Sequence, residues 1–115
     1  MPNRPTPLSE GSLLAAIDLG SNSFHLIVAR LEHGELKPVE TLAEKVQLGA
    51  GLERGKLAKD AIERGLTCLS RFAQLLDSVE PSRIRVVGTN ALRQAKNRNE
   101  FTEAAEEILG VPVDV

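Results

Sequence analysis

The chain has 115 residues, 42% of them hydrophobic, which suits one domain with one modest core. Its 14 Lys and Arg against 16 Asp and Glu leave a net charge of −2, so no global field draws polyanions, no nucleic-acid footprint is present, and any anion site has to be local. A single cysteine excludes an internal disulfide framework, no run of about 18 apolar residues could form a transmembrane segment, and the first residues lack the apolar core of a secretory signal; together these predict a soluble protein of the reducing cytoplasm.

Residues 1–12 carry Pro2, Pro5 and Pro7 among polar neighbours and predict a disordered tail, because such a stretch buries too little to offset its ordering entropy. From Leu13 the short, nearly continuous apolar run to Leu19 predicts a strand covered on both faces. Gly20-Ser21-Asn22-Ser23 breaks that run, and Phe24 to Leu31 predicts a second strand paired with it as a hairpin, ending near His33-Gly34. Leu36 to Leu48, β-branched and without a helical stripe, predicts a third strand. Ile62, Leu66, Leu69, Ala73 and Leu76 recur at helical spacing and predict an amphipathic helix, with Cys68 as a buried structural thiol within it. Beyond Pro81, Ile84 to Thr89 predicts a strand leading into a second helical stretch. A last helix is expected to take Asn97 or Asn99 as its cap, bury Phe101, Ala105, Ile108 and Leu109 and stop at Gly110, with Val111 to Val115 opening another strand. The order β-β-β-α-β-α-β predicts an α/β fold with a mixed five-stranded sheet.

The chemistry concentrates where the first strand ends. Asp18 closes an apolar strand, where an ionised carboxylate needs a partner; a hard cation such as Mg²⁺, which shares phosphates and waters with one or two carboxylates, would be one. Gly20 permits close approach of an anion, and Ser21, Asn22 and Ser23 add side-chain donors beside the turn's N–H groups, as a phosphate requires. The same residues also make an ordinary β-turn whose hydrogen bonds Asp18 accepts, and spacing alone leaves both readings open. Thr89 and Asn90, at a strand-to-helix junction, are expected to cap the helix, with ligand contact secondary. His25, inside an apolar strand, is expected to make a structural hydrogen bond rather than to act as an acid or base. Lys37, Lys45, Arg54, Lys56, Lys59 and Arg64, interleaved with Glu, describe a solvated surface better than a polyanion track.

The segment Ala16-Ile17-Asp18-Leu19-Gly20-Ser21-Asn22-Ser23-Phe24-His25-Leu26 resembles the first phosphate loop of the exopolyphosphatase and guanosine pentaphosphate phosphohydrolase family. Lys45 to Leu52, Arg64 to Leu69 and Val87 to Ala95 resemble further blocks of that family in the same order, so the likeness covers residues 13–115. It implies the N-terminal lobe, with a ribonuclease-H-like, actin-like fold, of a longer two-lobed enzyme. Carried over by position, Asp18 would belong to the shell of Mg²⁺ or another divalent cation, Gly20, Ser21, Asn22 and Ser23 to the phosphate loop, and Arg93 to a phosphate contact. An arginine suits that role because it stays charged and can fork onto two oxygens. The implied activity is removal of terminal phosphate from inorganic polyphosphate, the region Gly88 to Asn97 looking closer to exopolyphosphatases; the alternatives are 5′-phosphohydrolysis of guanosine pentaphosphate, or a non-catalytic phosphate-binding lobe. The family's second phosphate loop and the glutamate serving as general base would lie beyond Val115. The fragment alone is therefore expected to be inactive, with the second lobe its natural partner and a homodimer possible for the whole enzyme. One departure is Ala58, where many relatives carry a serine before the long helix.

Overall fold

The computed structural model describes residues 9–115. Of the stretch expected to be a tail, residues 1–8 lie outside the described residues, while residues 9–12 are tied to the end of the second strand: the Gly11 N–H donates to the Leu31 carbonyl (2.8 Å) and the Leu31 N–H to that of Ser12 (2.9 Å).

Three antiparallel strands, β1 (Leu13–Leu19), β2 (Phe24–Glu32) and β3 (Glu35–Glu44), form a meander; a small β4 (Leu52–Glu53) and β5 (Lys56–Leu57) hairpin follows, then helix α1 (Lys59–Gln74). Strand β6 (Ile84–Gly88) returns parallel to β1, giving the sheet order β3-β2-β1-β6, and the short α2 (Asn90–Gln94) and α3 (Arg98–Leu109) come after it. The sheet is mixed because the hairpin turns allow antiparallel neighbours while the longer crossover through α1 brings β6 back in the direction of β1.

Alternation along the strands separates two faces. Ala15, Ile17, Leu19, Phe24, Leu26, Val28 and Val86 are buried in one cluster with α1 and α3, whereas Ala16, Asp18, His25, Ile27 and Val87 are exposed on the other side. The apolar run of β1 predicts cover on both faces; among the described residues only one face is covered, since both long helices contribute to the same core. The helices approach closely at Gly65. A Cβ there would lie 2.6 Å from Cε1 of Phe101, whose ring meets Phe24 edge-on at a centroid distance of 6.0 Å. That contact rotates the buried stripe of α1 to Ala61, Gly65, Cys68, Leu69 and Phe72, leaving Ile62, Leu66 and Ala73 only partly buried.

Three further differences from the sequence expectation have local causes. The third strand stops at Glu44 rather than Leu48, because the chain turns at Gln47 (φ 56°) and spends its next N–H groups on the β1–β2 turn. Asn97 does occupy the cap position of α3, but its side chain holds the backbone of Leu57 instead, accepting from the N–H at 2.8 Å and donating to the carbonyl at 3.1 Å. The main sheet has four strands, not five. After α3 ends at Gly110 (φ 74°), Pro112 has no N–H to give and that of Val113 goes to the Glu106 carboxylate at 2.8 Å, so only Asp114 reaches β6, as a single parallel bridge opposite Val87.

Burial pushes the Cys68 thiol up to about 12, with the Glu44 carboxylate adding to the effect and Arg71 opposing it. This is the inert, structural cysteine that the helix pattern predicts.

Candidate functional site

The turn 20–23 joins the end of β1 to the start of β2, beside the C-terminal end of β6, the edge at which open α/β sheets bind ligands. Its shape follows from its own hydrogen bonds. The Gly20 N–H donates to the Ser23 carbonyl at 3.1 Å, and a Cβ on Gly20 would stand 2.8 Å from that same oxygen. Glycine is therefore required here to close the turn, and its N–H is spent inside it, whereas the sequence suggests a role in letting an anion approach.

Two other segments grip the turn from outside. The Gly49 N–H donates to the Ser21 carbonyl and the Gln47 N–H to the Asn22 carbonyl, both at 2.8 Å. On the other side the Ser21 hydroxyl accepts the N–H of Ala91 at 3.1 Å, which joins the turn to the first residues of α2. Among the described residues, the N–H groups of Ser21, Asn22 and Ser23 donate to no protein acceptor. The turn thus presents three successive N–H groups without a protein acceptor, on a backbone held from two directions. The Ser21 hydroxyl accepts within the fold but keeps its own O–H to donate, so Ser21, Asn22 and Ser23 all have side-chain donors to offer a ligand.

Thr89 stands at the cap position of α2 but does not cap it; its hydroxyl donates to the Leu19 carbonyl at 3.4 Å, and the capping acceptor comes from Ser21 across the fold. Nothing in the local sequence signals that substitution. Arg93 lies two residues beyond Ala91 on α2, is exposed, and forms no side-chain ion pair among the described residues, so its guanidinium is available at this end of the sheet.

Asp18 is on the outer face of β1, exposed, with His25 of β2 and Val87 of β6 beside it in the ladder. All three line a shallow, largely apolar depression of about 450 Å³. The ring of His25 makes no hydrogen bond among the described residues, so the structural bond expected for it is not formed. No group of three or more metal-ligating side chains occurs among the described residues. A cation at Asp18 would therefore have to complete its shell with water and phosphate oxygens rather than with a protein cage. Of the dispersed basic residues, Arg64 is engaged through each of its three nitrogens: Nε donates to the Val46 carbonyl (3.0 Å), one terminal nitrogen to that of Gln47 (3.3 Å) and the other to Asp60 (3.1 Å).

The comparisons with known proteins bear on the fold and the family. The model of the Ppx/GppA phosphatase family matches residues 27–115. The structure of the Aquifex aeolicus member of that family is 34% identical, with a TM-score of 0.83 over 90% of this chain and 34% of its own. An exopolyphosphatase-like protein is 32% identical at TM-score 0.83, covering 93% of this chain and 33% of its own, and an exopolyphosphatase from Cytophaga hutchinsonii is 25% identical at TM-score 0.83, covering 89% and 33%. The chain spans about a third of the length of these structures. No helix among the described residues is long and apolar enough to cross a membrane. With the family model matched over residues 27–115 and a fold shared with the Aquifex aeolicus member, the chain belongs to the Ppx/GppA phosphatase family.

Proposed function

We propose that this chain is the first phosphate-binding lobe, actin-like in fold, of a phosphohydrolase that removes the terminal phosphate of inorganic polyphosphate and releases orthophosphate. The observation that carries the reading is the turn 20–23, with the unpaired N–H groups of Ser21, Asn22 and Ser23 on a backbone braced from two sides. These donors would bind non-bridging phosphate oxygens, and their fixed orientation would spare reorganisation as charge builds on the transferred group. Arg93 would fork onto two oxygens of the same or the adjacent phosphate, orienting it for in-line attack and balancing its charge. Asp18 would hold Mg²⁺ or another divalent cation, which when bound supplies neutralisation of the phosphate charge. Removal of the attacking water's proton needs a base, and we assign that role to a glutamate of the second lobe, outside this chain. His25 is not given that role, since it stands on the open sheet face beside Asp18 rather than in the turn.

The test is orthophosphate release from polyphosphate and, in parallel, from guanosine pentaphosphate, by the longer protein that contains this lobe and by residues 1–115 alone. The reading expects metal-dependent release by the longer protein, faster on polyphosphate, and none by the single lobe. Preference for guanosine pentaphosphate would move the substrate to the nucleotide, and sustained release by the single lobe would refute the division of labour between lobes.

A further inference from the structure

We infer that Arg64, on α1, is a positioning residue for the phosphate turn and acts on it through the 46–49 segment. The inference rests on the reading of turn 20–23 as the anion site, and its chain of contacts is short. Arg64 is set on the exposed side of α1 and clamps two consecutive carbonyls, those of Val46 and Gln47, with Nε and one terminal nitrogen. Between the buried anchors Val46 and Leu48, Gln47 is held at φ 56°, a left-handed conformation that a side-chain-bearing residue adopts at a cost. That conformation directs the N–H groups of Gln47 and Gly49 at the carbonyls of Asn22 and Ser21.

The consequence for the site follows from the geometry of a trans peptide, in which the C=O of one residue and the N–H of the next point in opposite directions. There are no cis peptides among the described residues. Fixing the Ser21 carbonyl toward Gly49 therefore fixes the Asn22 N–H pointing away from the brace. Fixing the Asn22 carbonyl toward Gln47 does the same for the Ser23 N–H. Two of the three unpaired donors are thus oriented by hydrogen bonds made on the opposite edges of their own peptide planes, and Arg64 holds the segment that makes those bonds. Its ion pair with Asp60 is a separate, solvent-exposed i,i+4 contact that touches neither carbonyl and contributes little.

The experiment compares the 115-residue chain with its Arg64→Gln, Arg64→Lys and Asp60→Asn variants by backbone NMR, with tripolyphosphate as the probe. Without probe, Arg64→Gln should lower the order of the amides of Asn22, Ser23, Gln47 and Gly49 while leaving those of β1 and α3 unchanged. Lysine, whose ammonium lacks the fixed planar fork of the guanidinium, should fall between; Asp60→Asn should match wild type. If the ordered turn is then populated a tenth of the time, the apparent tripolyphosphate Kd rises about tenfold. Unchanged order at residues 22 and 23 in Arg64→Gln overturns the inference, as does an equal loss in Asp60→Asn, which would mark a general effect of helix charge. Should Arg64→Gln fail to fold, the contrast between Arg64→Lys and Asp60→Asn decides the question by the same criteria. A wild-type turn that loosens as expected in the variant but ignores tripolyphosphate would leave Arg64 as the brace and reject the phosphate reading instead.

Discussion

At the level of single residues, the candidate site combines groups with different tolerances. Arg93 has no partner within the described fold, so its replacement by lysine should leave stability unchanged while weakening turnover of the full enzyme, because a point charge cannot reproduce two parallel N–H contacts with phosphate oxygens. Steady-state kinetics at saturating metal would show it, and wild-type constants would return Arg93 to the solvated surface. Asp18→Asn keeps shape and removes charge; since Asp18 is exposed, folding should be intact and the metal concentration needed for half-maximal rate should rise. An unchanged metal titration would remove Asp18 from the cation's shell. Cys68 provides a pH test of the core. Its thiol stays protonated in the fold up to about 12, whereas in the unfolded chain it ionises near its ordinary value of 9.0. The unfolded state therefore binds fewer protons between those values, and stability should fall as pH rises through that window. A Cys68→Ala variant should lose that component of the alkaline slope in urea titrations.

At the level of elements, α1 carries two opposite predictions. Ala58 occupies its cap position in an extended conformation with no side-chain acceptor, so Ala58→Ser should add about 0.5–1 kcal/mol of stability, read as a shifted urea midpoint. Gly65→Ala should destabilise in spite of alanine's better helix propensity of about 1 kcal/mol, because the new methyl would drive into the buried ring of Phe101 and overpacking costs about 1–3 kcal/mol. A higher melting temperature for Gly65→Ala would show that α1 and α3 can separate freely. The same elements mark what the sequence discloses. The first two strands, the turn between them and the stop at Gly110 follow from local pattern and chemistry. The small β4–β5 hairpin is signalled in the sequence only by Arg54-Gly55, both at positive φ in the fold. The rotation of α1 was hidden because a glycine within a helix shows its purpose only once Phe101, far along the chain, is beside it. The grip of residues 47 and 49 on residues 21 and 22 is made by backbone groups, which carry no residue-type signal at all. The fifth strand failed at the level of donors, where Pro112 and Val113 contribute none to the ladder.

At the level of the molecule, one sheet face is packed under two helices and the other is open among the described residues, with Ala16, Ile27 and Val87 around Asp18. On the proposed reading, turn 20–23 lies at one end of this sheet and would face a phosphate from one side only. A single lobe cannot exclude water, so its electrostatic contacts with a phosphate remain screened and its affinity should be weak, with a Kd on the order of 1 mM. Weak binding still has a location. The central claim, that turn 20–23 is the phosphate cradle, is tested most directly by titrating the isotope-labelled 115-residue chain with tripolyphosphate and following each backbone amide. The account predicts saturable shifts concentrated at Ser21, Asn22 and Ser23 and at the Arg93 side chain, with β3 and α3 silent; shifts spread over the dispersed lysines, with residues 21–23 unmoved, would contradict it.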